Sequence, residues 1–94
     1  MLDNDEREEL VDFLSLNPTA GDLIAGTGGV RKLRWALPGR GKSGGARVIY
    51  FYHDIDMPLF LLDAYAKNEM ANISHADRND LKRLVGILKA QFGR

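Results

Sequence analysis

The chain has 94 residues, 13 basic against 13 acidic side chains, 45% hydrophobic residues and no cysteine. That length supports one domain over residues 1–94, with roughly 60–70% of the unfolded surface buried on folding. The composition excludes disulfides and thiolate metal sites, two histidines do not make a metal-ligand spacing, and no apolar run approaches the ~20 residues of a membrane span.

Residues 3–16 predict a helix. Asp3 is a candidate N-cap with Glu6 three positions on, and Leu10, Val11, Phe13 and Leu14 form an apolar stripe. Asn17-Pro18 ends it. The segment NPTAGDLIAGTGG holds four glycines and reads as a loop with at most one helical turn. Residues 30–37 alternate as a strand, with Leu33, Trp35 and Leu37 on one side and Lys32 and Arg34 on the other. PGRGKSGG (38–45) is a basic loop without an apolar residue. It lacks the spacing of a nucleotide-binding P-loop and runs into a strand, which excludes that reading.

Residues 46–53 predict a second strand, with Arg47, Ile49 and Phe51 on one face and Val48, Tyr50 and Tyr52 on the other. Residues 59–66 predict a third. It is apolar on both faces, which predicts a central position, and Leu59, Leu61, Asp63, Tyr65 and Lys67 are expected on one side. Ser74 and Asp77 have capping-box spacing before a last helix, whose Leu81, Leu84, Val85, Leu88 and Phe92 make a sheet-packing stripe. The expected architecture is α+β: a small antiparallel meander of three or more strands packed with N- and C-terminal helices.

Charge is segregated along the chain. Residues 1–16 carry six acids and one base, Arg7, whereas residues 30–52 carry six bases, Arg31, Lys32, Arg34, Arg40, Lys42 and Arg47, and no acid. Electrostatic fields act over ~8–10 Å at physiological salt, so the local imbalance points to a polyanionic partner despite the zero net charge. Trp35, Tyr50 and Tyr52 are expected to pack, and His53 and His75 to be exposed bystanders.

Three segments in order, GTGGVRKLRW, GRGKSGGARVIYFY and YAKNE, resemble the RelE/ParE superfamily of toxins from type II toxin–antitoxin systems, in particular its HigB-like branch. The resemblance runs from about residue 8 to residue 90. It implies a RelE-like, microbial-RNase-type fold and a ribosome-dependent mRNA endonuclease. Such an enzyme works without metal or other cofactor, directing a 2′-hydroxyl at the adjacent phosphate, and is inhibited by a cognate antitoxin, often of helix-turn-helix type. It also implies ribosome and mRNA as partners and the cytoplasm as location, in keeping with an acidic N-terminus unlike a signal peptide. On the matching positions it implies Arg47 and Lys67 as phosphate-binding or transition-state residues.

The chemistry needs a base, an acid and positive charge on the phosphate. A lysine set among other cations loses its proton more readily, so Lys32 or Lys67 is expected to be the base. Arg34, Arg40 and Lys42 are expected to hold the RNA backbone and Tyr65 to stack on a base. Register alone decides whether Lys32 and Arg34 face Arg47, because a slip of one residue turns a strand over.

Members of the family usually open with a short strand before the first helix. Here the helix starts almost at once, at Asp3, which sets the expectation of an uncovered sheet edge and so of a homodimer or a strand donated by a partner. Two other functions compete: a weak or inactive toxin homologue that binds antitoxin and serves in co-repression, and a ParE-like gyrase inhibitor.

Overall fold

The structure is a computed structural model that describes residues 4–35, 45–66 and 74–93. Helix α1 spans Asn4–Leu16, with Asp5 and Glu6 in its first turn, where the helix dipole favours acids. Its Leu10 and Leu14, four residues apart, are the buried pair. The backbone N–H and the side-chain amide of Asn17 both donate to the carbonyl of Phe13, at 2.9 and 3.0 Å. They close the last turn just before Pro18.

Four strands follow: β1 (Asp22–Leu23), β2 (Val30–Trp35), β3 (Ala46–Phe51) and β4 (Phe60–Ala66). They pair antiparallel in the order β1-β2-β3-β4. Helix α2 spans His75–Phe92. Its capping box is complete: the Asp77 N–H donates to Ser74 Oγ at 3.1 Å and the Ser74 N–H donates to Asp77 Oδ2 at 3.3 Å. No helix among the described residues is long and apolar enough to cross a membrane.

The sheet lies between the two helices, and each face has its own core. On one face Val30, Ile49, Phe51 and Met57 pack with Val85 of α2, flanked by Leu81 and Leu88. On the other, Val48 and Tyr50 pack with Leu10 and Leu14 of α1, flanked by Leu33, Trp35 and Leu59. Each fully buried aliphatic side chain contributes about 2 kcal/mol of transfer free energy. The N–H of Gly21 donates to the Tyr50 hydroxyl at 2.8 Å, and that hydroxyl donates to the carbonyl of Pro18 at 2.8 Å. One buried phenol thus ties the 17–21 loop to the central strand. The approach is close enough that a Cβ on Gly21 would stand 2.9 Å from the Tyr50 ring.

Several expectations require correction. The stretch 59–66 is not central: β4 ends the described sheet, and β3 and β2 are the interior strands. It is apolar on both faces because each face is covered by a helix. Leu59 packs toward α1, while Phe60 and Leu62 pack toward α2. Apolarity therefore reports layers, not position within the sheet. Nor do Leu59 and Leu61 share a side with Tyr65. Tyr50 pairs with Leu61 while Ile49 pairs with Asp63, so Leu62 is the extra residue of a bulge that shifts the alternation. The loop after α1 also contains a short strand, β1, too brief to show a period. The proposed cap Asp3 and the strand residue Leu37 lie outside the described residues.

Candidate functional site

The register of β2 and β3 sets Arg34 directly opposite Arg47, and that of β3 and β4 sets Arg47 directly opposite Tyr65. Residues paired across antiparallel strands point to the same face. Arg34, Arg47 and Tyr65 therefore form one rung across three strands, about 10 Å wide at the usual strand spacing. Lys32 pairs with Ile49 on the same face, two residues along from Arg34 and about 7 Å away by strand rise. This face is divided along its length. At the Phe51 end Val30, Ile49 and Phe51 are covered by α2. At the Arg47 end Arg34 is exposed and Lys32 and Arg47 are half-buried, whereas Tyr65, at 7% exposure, belongs to the buried cluster of Ile49, Phe51 and Val85.

Like charges directly opposite in a sheet repel. Among the described residues neither Arg34 nor Arg47 has an ion-pair partner, and the Nη1 of Arg47 is buried with no hydrogen-bond acceptor. Two facing guanidiniums without a counter-charge between them lower their repulsion when an anion approaches. Burial raises the Tyr65 hydroxyl above the usual tyrosine range; the Arg47 guanidinium opposes that shift and the Asp63 carboxylate adds to it. Tyr65 is therefore a neutral phenol at physiological pH.

The six bases read from the sequence as one cluster do not act as one. Arg31 alternates to the opposite face, where its Nη1 donates to the carbonyls of Gly21 and Thr19 at 2.8 and 3.3 Å. It shares with Tyr50, its partner in register, the task of holding the 17–21 loop. Lys32, Arg34 and Arg47 are brought together with Tyr65. Lys67, Arg40 and Lys42 lie outside the described residues. Trp35 is half-buried, with its ring 5.2 Å from that of Phe13 on α1, as expected of a packing residue. His53 is exposed beyond the end of β3 farther from Arg47, 3.6 Å from the Asp54 carboxylate, and His75 is exposed at the start of α2. Among the described residues no group of histidines and carboxylates is placed to hold a metal ion.

Sequence reasoning missed the Tyr50 latch, because a tyrosine in an apolar strand gives no sign of where its hydroxyl goes. It also missed that Asp77 and Asp80 of α2 share a cavity with Asp63 and Tyr65 of β4. The only trace of that in the sequence is the i, i+3 spacing of the two helix acids.

A rung of two facing arginines and a buried phenol, carried on an antiparallel sheet between two helices, is the arrangement that the family comparison bears on. Residues 17–92 match the model of the RelE toxin of RelE/RelB toxin–antitoxin systems. The matched segment runs from the loop after α1 through all four strands to the end of α2, so it contains the whole rung. The chain belongs to the RelE toxin family of toxin–antitoxin systems.

Proposed function

We propose that the chain is the toxin of a type II toxin–antitoxin module, of the HigB-like branch, and that it cuts mRNA on the ribosome without a metal ion. The observation that carries this reading is the Arg34–Arg47 pair: two cations set opposite one another with no acid between them among the described residues. Such a pair gains stability when an anion binds, and gains most when charge on that anion increases, as it does on a phosphate under attack by a 2′-hydroxyl.

In this mechanism the half-buried Arg47 guanidinium binds the scissile phosphate, and Arg34 holds a non-bridging oxygen from the neighbouring strand. The 2′-hydroxyl attacks phosphorus, the bond to the 5′-oxygen breaks, and the products are a 2′,3′-cyclic phosphate and a 5′-hydroxyl. Lys32 or Lys67 takes the proton from the 2′-hydroxyl, and the departing 5′-oxygen takes a proton from solvent water to become the 5′-hydroxyl. Tyr65 lies beside the phosphate as a neutral phenol and stacks on or bonds to the adjoining nucleotide. Arg40 and Lys42 add backbone contacts from their loop. The cognate antitoxin silences the enzyme by covering this face.

Translating extracts test the reading. Wild-type protein is expected to cut a reporter mRNA only while ribosomes translate it, and Arg47→Ala is expected to cut ~10²–10³-fold more slowly, the usual effect of deleting a donor to a developing oxyanion. Cutting of naked transcript at the same rate would contradict the ribosome requirement. Equal rates for wild type and Arg47→Ala would contradict the site.

A further inference from the structure

The first turns of α2 carry a cation that the mechanism above leaves unused. From Ser74 to Asp80 every residue is exposed except Arg78, which is half-buried. Its Nε is buried without an acceptor, and among the described residues no carboxylate pairs with it. A buried guanidinium N–H left without a partner costs stability. Solvent lies on the outer side of this turn, and a charged side chain ordinarily goes there. Arg78 is instead turned toward the sheet.

Helix geometry fixes the part of the sheet that it meets. Val85 stands seven positions on, two turns and about 10 Å along the axis, within about 20° of the same direction. Val85 packs on Val30, Ile49 and Phe51. The ring of Phe92 lies 5.2 Å from that of Phe60, and Phe60 pairs with Phe51, so the C-terminal end of α2 covers the Phe51 end of the face. Arg78 therefore lies over the same face toward its other end, where Arg47 stands. The position across the helix is set as well. Asp77, Asp80 and Leu84 line the cavity over Asp63 and Tyr65 of β4. Arg78 falls on the opposite flank of the packed line through Leu81 and Val85, on the side of β3 and β2. Lys32, Arg34 and Arg47 rise from those two strands.

We propose that Arg78 joins Lys32, Arg34 and Arg47 as a phosphate-binding residue of the RNA site, reaching the RNA backbone from α2 while the arginine rung holds it from the sheet. A cation turned inward with no acid to hold it finds its counter-charge in a bound polyanion, and the planar guanidinium fork matches phosphate oxygens. The proposal rests on the reading of Arg47 as a phosphate contact, and the test separates the two. A 2′-O-methyl RNA trinucleotide, which has no free 2′-hydroxyl and is not cut, is titrated into the full chain over a series of salt concentrations. Each phosphate contact to a single strand contributes about 0.7 to the slope of log affinity against log salt. Arg78→Ala, which keeps a good helix former in place, is expected to bind at least about tenfold more weakly, the scale of one charge-assisted hydrogen bond, with a slope shallower by about 0.7. Arg78→Lys is expected to restore the slope but not the whole affinity, because it keeps the charge and lacks the fork. Arg83→Ala, on the exposed outer side of α2, is expected to change neither.

An unchanged slope in Arg78→Ala would overturn the proposal even if affinity fell, because that pattern belongs to lost packing of the side-chain stem. Failure of the wild type to bind the trinucleotide would overturn it too. So would a hexaglutamate peptide that needs Arg78 for binding while the trinucleotide does not, which would assign Arg78 to an acidic segment of a protein partner. A slope that falls in Arg78→Ala and stays unchanged in Arg47→Ala would keep the Arg78 contact and remove the phosphate role of Arg47.

Discussion

Arg34 and Arg47 face each other directly across β2 and β3, with Tyr65 next to Arg47 on β4 and no counter-charge between the two arginines among the described residues. An opposed pair of this kind costs the folded state stability, on the order of 0.2–1 kcal/mol relative to a neutral pair. Arg34→Thr, which keeps a good strand former at the position, is therefore expected to raise the urea midpoint slightly while reducing toxicity on expression. A variant both less stable and fully toxic would show that the pair has no anion-binding role.

The Tyr50 latch makes a prediction about alkaline pH. Burial raises the Tyr50 hydroxyl above its usual value, with the Gly21 hydrogen bond and the Arg31 charge opposing and the Asp22 charge adding. The folded chain thus holds this proton more tightly than the unfolded chain does. Its stabilising contribution is complete below pH ~10, the unfolded value, and is lost as pH rises through the folded one. Urea unfolding followed from pH 8 to 11 is expected to show a falling midpoint above about pH 10. Tyr50→Phe is expected to cost about 1–3 kcal/mol at pH 7, because the Gly21 N–H is left buried without an acceptor. Its decline at alkaline pH is expected to be shallower than that of the wild type.

The two cores make separate predictions. Leu10 is fully buried against Val48 and Tyr50, so Leu10→Ala is expected to cost about 2–5 kcal/mol. It removes packing from the face opposite the arginine rung, and the surviving folded fraction is expected to keep its activity per molecule. Ser74→Ala, at the N-cap of α2, is expected to cost about 1 kcal/mol through loss of the bond from the Asp77 N–H. Thermal melts of the two variants, each normalised to residual cleavage, check both.

Much of this arrangement is legible in the chain itself. The alternation of Arg47, Ile49 and Phe51 against Val48 and Tyr50 marks the two faces of β3. The Ser74–Asp77 spacing marks the start of α2, and its apolar stripe names Val85, the residue that becomes buried. Strand order is not legible in the same way. Phe60 and Leu62 look like the residues of an interior strand because a helix covers each face, and only hydrogen-bond pairing shows β4 at the end of the described sheet. The bulge at Leu62 is equally silent in the sequence, yet it decides that Tyr65, and not Leu61, shares the Arg47 face. Register is the third hidden quantity. Lys32 and Arg34 share a face by period alone, but that this face is also Arg47's follows from the pairing of Leu33 with Val48. Arg31 shows the reverse error. Counted with its neighbours as part of a charged patch, it instead holds a loop on the other side of the sheet.

The most direct measurement is the chemistry of the RNA ends made during induced expression, mapped across the transcriptome for the wild type and for Arg47→Ala. Attack by a 2′-hydroxyl on a phosphate held by the arginine rung predicts new 5′-hydroxyl ends within translated reading frames, abundant with the wild type and nearly absent with Arg47→Ala. Ends carrying 5′-phosphates, or an unchanged set of cuts in the variant, would contradict the account.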